Sequence, residues 1–418
     1  MSVEPASIGS VSARFGLARY LTGATLARTA DAMSGPALLL LGLAVAGSTR
    51  TASLIYAGLT VAAAVGGPVL GALFDRSARP GRLLALALTG YAGGLAVVSV
   101  TLGRVPTAVV IATAVAAGLL APALTGGWTA QLGDVVPAAR LRRAQSLDAA
   151  TYNFGGLTGP GLAAAVAGLV GAGWAVAGAI VLLALAVPVA ATLPAPARGR
   201  LDTSVLVALR AGAGAIVSIP GLRRVTLASV IAFVGFGMFI VACPLLGAEH
   251  FGSTARGASL LSVLAVGALL ATVATARWPL PMRPDTTFVV ATVLAGVVLA
   301  GLAVAPHAAV VIGAAFVFGV ADGPQLAAVI EVRHREAPER LRAQVFTTGA
   351  SLKVSAGALG AALAGALAEQ SLVLVLLVAA GTQVLALVAF AAVRVAPPQR
   401  RSWSGMGATT PVAGHDRR

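Results

Sequence analysis

The chain has 418 residues, of which 58% are hydrophobic and only 10% are charged, and its formal net charge is +15. This composition excludes a water-soluble globular protein. A bilayer core of roughly 30 Å requires about 20 apolar residues for each helical crossing, and windows of that kind recur along nearly the whole chain. We therefore predict an integral membrane protein whose surroundings are the lipid bilayer.

Twelve apolar windows, separated by charged residues or by proline and glycine, follow one another along the chain. Only helices or a closed barrel can span lipid, because unpaired backbone groups are too costly there, and uniformly apolar runs exclude the alternating strands of a barrel. The predicted fold class is all-α integral membrane, with twelve transmembrane helices. The predicted spans are residues 19–46, 52–74, 82–103, 105–128, 144–170, 172–194, 225–248, 255–276, 286–306, 308–331, 343–368 and 371–394.

Two related stretches divide the chain into halves. RLRRAQSLDAATYNFGG begins at Arg140 and RLRAQVFTTGASLKVSA begins at Arg340, an offset of 200 residues. Such a duplication predicts two six-helix bundles, the parallel-repeat plan of one large class of transporters. The predicted units are a cytoplasmic N-terminus (1–18), an N-terminal bundle (19–194), a cytoplasmic linker (195–224), a C-terminal bundle (225–394) and a disordered cytoplasmic tail (395–418). Part of the linker either lies on the membrane as an amphipathic helix or is a plain tether.

The distribution of basic residues predicts the orientation. Short loops rich in Lys and Arg stay in the cytoplasm. With both termini inside, the inner side receives 24 basic residues and the outer side three, Arg50, Arg104 and Arg256. We therefore predict a multi-pass protein of the cell (plasma or inner) membrane, with no nucleic-acid partner. Three tryptophans fall at predicted span ends, as interfacial indoles do: Trp128, Trp174 and Trp278.

Residue counts exclude several kinds of chemistry. The single cysteine, Cys243, lies in a predicted span, and no predicted span contains a histidine, so we predict no embedded metal cluster and no histidine base. No GxxxxGK[ST] phosphate loop occurs, so ATP is not the predicted energy source. The chain is therefore expected to be no enzyme and to carry no metal and no cofactor.

The loop between the second and third spans reads GALFDRSARPGR and carries four charges. Arginines alone would make it a solvated topological anchor, but an aspartate at a helix end can also pair locally or cap a neighbouring helix. The pattern resembles the loop motif of the major facilitator superfamily. The matching residues are Gly71, Asp75, Arg76, Arg79 and Arg82.

This resemblance implies that the glycine lets helices of the two halves approach, and that the aspartate and an arginine form a charge network that locks the outward-facing state. Ala78 stands where the family usually has a second glycine, and Pro80 where a base is common, which implies a looser lock. The simple anchor is the alternative.

A second stretch, NFGGLTGPGLAA in the fifth span, resembles the antiporter motif of drug exporters in the same family. Glycines four apart allow close helix contact, and proline removes a backbone hydrogen bond and bends the helix. The matching residues are Asn153, Gly155, Gly159 and Pro160, whereas Ala163 and Ala164 replace the motif's terminal glycines. The resemblance favours export over import. The segments ADAMSGPALLLL and RAQSLDAATYN are similar to the branch of macrolide and enterobactin-type exporters.

Ionisable residues inside apolar spans are the leading site candidates, because burying an ion in hydrocarbon costs at least about 2.5–3.5 kcal/mol. Arg28 and Asp31 lie three residues apart, on one face of the first span. Asp322 interrupts the tenth span, and Lys353, the only lysine, lies in the eleventh. One interpretation is structural: Arg28 bridges Asp31, and Lys353 bridges a nearby acid.

The functional interpretation uses the same residues for proton coupling. A carboxylate in a partly dry cavity can load and release a proton near neutral pH. In the family resembled, the first and tenth helices line the central cavity. We hypothesise that Asp31, tuned by Arg28, is the leading proton carrier, and that Asp322 with Lys353 forms a second coupling or substrate-orienting group. Asp148 is a further candidate, although its place near the cytoplasmic end of the fifth span suggests a hydrated side chain.

The expected function is secondary active transport, in which two bundles rock about a midplane site and proton entry drives the export of a small hydrophobic or amphipathic drug or natural product. A proton-coupled importer of a small metabolite is the first alternative, and a non-transporting membrane sensor is the second. The resemblance implies a monomer. Phenylalanines of the seventh and tenth spans could contact substrate, with lipid-facing packing expected for most of them: Phe233, Phe236, Phe239, Phe316 and Phe318.

Overall fold

A computed structural model describes residues 6–195 and 203–393, and within these ranges the chain is entirely helical. The predicted tail and parts of the predicted N-terminus and linker lie outside the described residues. The helices are α1 (Ala6–Ala46), α2 (Thr49–Arg76), α3 (Pro80–Thr101), α4 (Thr107–Gly118), α5 (Trp128–Val135), α6 (Ala138–Val170), α7 (Ala172–Ala191), α8 (Val205–Ser218), α9 (Pro220–Phe251), α10 (Thr254–Arg277), α11 (Pro284–Leu302), α12 (Ala308–Glu336), α13 (Arg342–Ala368) and α14 (Leu372–Ala392).

Twelve helical segments in the described ranges are long and apolar enough to cross a membrane, which confirms the predicted fold class. Helices α4 and α5 form one of these segments, Thr107–Val135, and are joined by a π-helical turn at Ala123–Gly127. The turn follows Pro122, whose missing N–H interrupts the regular hydrogen-bond ladder.

The tenth span is longer than the sequence predicted. Helix α12 continues to Glu336 and stops before Pro338, so Arg333 and His334 are buried helical residues. The predicted span 308–331 left these two residues in a cytoplasmic loop, which was wrong, because charge ended the apolar window whereas the helix continues almost to Pro338.

Trp128 also departs from the prediction. Its side chain is 0% exposed and packs edge-on against Tyr20, with ring centroids 5.7 Å apart. It therefore belongs to the interior of the first bundle and not to a membrane interface. Trp174 and Trp278 are exposed.

The two halves meet mainly where α2 packs on α13 and α6 packs on α10. Gly71 shows why α2 comes so close to α13: a Cβ atom at this position would lie closer than 3.0 Å to the backbone of Gln344. A glycine is needed for this approach, as in other membrane helix contacts. The contact lies at the end of the molecule that carries the Gly71–Arg82 loop, which we call the loop end.

The linker helix α8 packs near this contact. Gln344 of α13 donates its side-chain amide to the carbonyl of Leu209, at 3.1 Å, and lies against Gly212. The helical part of the linker is therefore docked on the helices that join the halves at the loop end.

Candidate functional site

A cavity of about 410 Å³ lies between the two halves. Helices α6, α9, α10, α12 and α13 contribute to its wall, together with the π-helical turn. Its size is in the range of small-molecule sites. Its lining includes Tyr152, Asn153, Phe233, Asp322, Arg333 and Lys353.

Helical periodicity explains how α12 supplies two charged residues to this cavity. Asp322, Leu326, Ile330 and Arg333 follow one another at spacings of three or four, which places them on one face of the helix. Asp322 was identified from the sequence, whereas Arg333 was missed. The missing signal was the spacing of 11 residues from Asp322, about three helical turns, on a helix with no proline between Pro324 and Pro338.

Aromatic side chains form an apolar wall. The rings of Phe233 and Phe236 stack with centroids 4.8 Å apart, and both residues line the cavity. Phe239 and Phe318 lie in the buried core of the second half instead, and Phe316 is exposed. The structure therefore separates two cavity phenylalanines from the three that have packing roles or face outward.

Lys353 contributes a cation beside this wall. Its Nζ lies 4.3 Å from the centre of the Phe233 ring, an arrangement that favours a cation–π interaction. Asp322 lines the same cavity, but among the described residues no ion pair joins the two side chains. The opposite charges of Lys353 and Asp322 therefore interact without the direct salt bridge that the sequence suggested.

Arg333 is the most unusual charge in the cavity wall. The residue is 4% exposed, and among the described residues its Nε and Nη2 atoms have no hydrogen-bond partner. Its guanidinium group lies against Gly349 of α13, where a Cβ atom would approach it closer than 3.0 Å. An unpaired buried cation of this kind is costly, so it is a strong functional candidate.

Arg28 has different partners from those that the sequence suggested. Its Nη1 atom lies 2.9 Å from Asp148 Oδ1, its Nη2 atom donates to Thr129 at 2.9 Å, and its guanidinium stacks on the Tyr152 ring. The pairing of Arg28 with Asp31 is therefore wrong. The expectation of a hydrated Asp148 is also wrong, because this residue is 0% exposed and accepts a further hydrogen bond from Tyr20.

Asp31 faces a separate, smaller cavity of about 200 Å³. The Tyr91 hydroxyl donates to its carboxylate at 3.4 Å. Val354 lines both this cavity and the larger one, so the two adjoin at α13. The structure thus places Asp31 beside the central cavity and separates it from Arg28.

The loop motif joins the halves at the loop end. Asp75 Oδ1 and Oδ2 accept hydrogen bonds from the backbone N–H groups of Ala343 and Gln344, at 2.9 and 2.8 Å, at the start of α13. A carboxylate is favoured there because the first N–H groups of a helix lack intrahelical partners. Arg79 and Arg82 are exposed, and Arg76 is partly exposed.

Arg142 adds a second connection at the same end. Its guanidinium donates to the carbonyl oxygens of Leu280 and Met282, at 3.0 and 2.6 Å, and lies 3.4 Å from Glu331. Arg142 belongs to the first half and its three partners to the second. The halves are therefore held together at the loop end by polar contacts as well as by packing.

The glycines of the antiporter-like motif bring α6 against α1. A Cβ atom at Gly155 or Gly159 would lie closer than 3.0 Å to backbone atoms of Arg28 or Met33, respectively. Pro160 lies inside α6, and Asn153 donates to Thr272 of α10 at 3.5 Å. The motif therefore contributes to packing within the first half and to one contact between the halves.

Comparisons with known proteins agree with this architecture. The family model described as Major Facilitator Superfamily matches residues 20–361. The uncharacterized MFS-type transporter y4rN of Sinorhizobium fredii is 28% identical over 419 residues, which cover 92% of this chain and 96% of that protein. The multidrug efflux pump Tap of Mycolicibacterium fortuitum is 28% identical over 237 residues, which cover 55% of this chain and 57% of the pump.

Solved structures share the fold. The human organic anion transporter MFSD10 superposes with a TM-score of 0.74 at 16% identity, covering 90% of this chain and 99% of that one. A bacterial homologue of the iron transporter ferroportin in an outward-facing state gives 0.74 at 15% identity, covering 90% and 98%. The proton:xylose symporter XylE bound to 6-bromo-6-deoxy-D-glucose gives 0.73 at 13% identity, covering 91% and 95%.

Proposed function

Because the chain belongs to the Major Facilitator Superfamily and is a multi-pass membrane transporter, we propose that it exports small hydrophobic or amphipathic compounds in exchange for protons. The two six-helix halves rock about the central cavity, which opens to one side of the membrane at a time.

The observation that carries this proposal is the cavity itself. It lies between the halves, has an aromatic wall, and contains ionisable groups inside a largely apolar protein. The halves are joined at the loop end by Asp75 and Arg142. Breaking these contacts while the opposite ends approach would move the cavity's opening from one side to the other. A fixed pore would need no such separable contacts.

Protons are the proposed driving ions. Asp31 and Asp322 are partly buried carboxylates in or beside the cavity, and among the described residues neither forms a salt bridge. Such groups can exchange protons as the cavity changes its exposure. Asp31 is the leading candidate for the proton carrier, and the Tyr91 hydroxyl is its hydrogen-bond donor. Arg28 takes no direct part in proton transfer in this proposal, because its guanidinium forms an ion pair with Asp148.

Export is the proposed direction. It is supported by the antiporter-like glycines of α6 and by the likeness to a protein named as a multidrug efflux pump. The arginine distribution supports a cell membrane location with the loop end in the cytoplasm. A membrane-embedded cavity with aromatic walls suits compounds that partition into lipid.

The test compares cells with and without the protein for accumulation of a panel of fluorescent apolar compounds, at two external pH values. Export predicts lower accumulation of at least one compound, with the difference abolished by a protonophore. Higher accumulation would show import, and no difference for any compound would favour a non-transporting sensor. A Glu249→Gln variant controls for the loss of an acid outside the cavity, and it should export like the unmodified protein. Glu249 is an exposed acid at the end of α9 that lies far from the loop end.

A further inference from the structure

The charges that line the central cavity are unequal. In the part of the chain that the structure describes, two cations, Arg333 and Lys353, line this cavity together with one acid, Asp322. With ordinary ionisation, these groups leave one positive charge in excess. Cavities lined by one sign of charge, with low-dielectric walls, attract ligands of the opposite sign.

Within residues 6–195 and 203–393, no acid pairs with Arg333 to neutralise its charge. Arg28 is a buried arginine with a structural role, and its guanidinium is surrounded by Asp148, Thr129 and the Tyr152 ring. Arg333 is buried to a similar degree, yet among the described residues it has no ion pair and its Nη2 atom has no hydrogen-bond partner, whereas the Nε atom is unpartnered in both arginines. The contrast points to a partner that comes from outside the protein.

The shape of the Arg333 guanidinium group indicates which chemical group would bind it. The guanidinium group of Arg333 is a planar fork, whose parallel N–H groups match the two oxygens of a carboxylate, sulfonate or phosphate group. Gly349 leaves room for the fork against α13. Lys353 is four residues beyond Gly349 on α13, which corresponds to about 6 Å of helix rise, so a second cation lies about one turn away.

We propose that the substrate is an amphipathic organic anion, whose anionic group pairs with the guanidinium group of Arg333 while its apolar body packs on Phe233 and Phe236. This inference rests on the transporter function proposed above and names the substrate class of the same cavity. Lys353, beside the Phe233 ring, provides a second positive charge next to the anionic group. Asp322 lies about three helical turns before Arg333 on α12, away from the group that binds the anion.

The test measures binding of two matched fluorescent probes to the purified full-length protein. Dansylate carries a permanent sulfonate, whereas dansylamide has the same aromatic body without the charge. We expect dansylate to bind more tightly than dansylamide by about tenfold or more, since a bidentate charge-assisted contact is available only to the anion.

Three variants locate the interaction. Arg333→Gln is expected to weaken dansylate binding about tenfold or more and to change dansylamide binding less than about twofold. Arg333→Lys retains the charge but loses the fork, so an intermediate loss is expected. Gly349→Ala retains the arginine but places a methyl group where the guanidinium lies, so dansylate binding should weaken without loss of charge.

Arg335→Gln is the control for removal of a positive charge from the same helix. Arg335 pairs with Asp285 and Glu336 outside the cavity, so dansylate binding should be unchanged. Size-exclusion profiles and melting temperatures are to be measured to check that each variant is folded. If Arg333→Gln does not fold, Gly349→Ala still tests the proposal.

Equal binding of the two probes, or unchanged dansylate binding in both Arg333→Gln and Gly349→Ala, would overturn the anion proposal. Proton-coupled export of neutral or cationic compounds would then still stand. Conversely, selective dansylate binding in a protein that exports nothing would support the anion site and contradict the exporter. The two failures are therefore distinguishable.

Discussion

The carboxylate of Asp75 in the first half accepts a hydrogen bond from the backbone N–H of Gln344 in the second half, at 2.8 Å, across 269 positions of sequence. One side chain of the loop motif thus caps the first turn of a helix that lines the central cavity. Any motion that separates the halves at the loop end must break this contact.

Replacing Asp75 by Asn is expected to weaken closure at the loop end. The amide keeps one acceptor oxygen, but it loses the second of the two backbone hydrogen bonds and the negative charge that the helix start favours, a change of roughly 1 kcal/mol. Ala350 lines the central cavity, so a cysteine at this position, in a Cys243→Ser background, reports access to the cavity. Labelling by an impermeant maleimide from the loop-end side should become about fivefold faster, which corresponds to roughly 1 kcal/mol.

Arg82→Gln is the control for this labelling experiment, since Arg82 is an exposed residue of the same loop. Equal labelling rates for Asp75→Asn and Arg82→Gln would show that the Asp75 contact does not hold the halves together.

Gly71→Val is expected to prevent the close approach of α2 and α13. The added side chain would overlap the backbone of Gln344, which cannot move aside as a flexible side chain could. Transport should fall about tenfold or more. Gly93→Val is the matched substitution in α3, where a Cβ atom meets no heavy atom within 4 Å, and its transport should stay within about twofold. Similar losses in both variants would indicate a general intolerance of valine in these helices.

The buried pair of Arg28 and Asp148 is expected to stabilise the first half. Asp148→Asn or Arg28→Met alone leaves an uncompensated buried charge or an unsatisfied acid, which costs about 3–5 kcal/mol. The double variant removes both charges and should recover part of this loss. Thermal unfolding in detergent measures the effect. If the two single losses simply add in the double variant, the pair is not coupled.

The twelve-helix fold was predictable because a span of about 20 apolar residues is a local property of the sequence. The cap that Asp75 could provide was also visible from its position at a helix end. Its partner was not, because nothing near Asp75 in the sequence marks Gln344 as its neighbour.

The site was predictable only in part, for the same reason. Asp322 and Lys353 were found as charges within apolar spans, and both line the cavity. Arg28 was assigned to the nearest acid on its own helix, whereas the folded protein supplies Asp148 from α6. Arg333 was read as a loop charge because its neighbours are polar, although α12 continues past it. Partner choice between helices depends on packing, which a single sequence does not display.

The central claim is that proton movement through the carboxylates drives export, and simultaneous measurement of proton and substrate fluxes in vesicles containing Asp31→Asn tests it most directly. The variant removes the charge of Asp31 but keeps an acceptor for the Tyr91 hydroxyl. We expect it to bind substrate and to exchange it at equilibrium, but to lose proton-driven accumulation and its pH dependence. Proton-driven transport at the rate of the unmodified protein in this variant, and also in Asp322→Asn, would contradict the account.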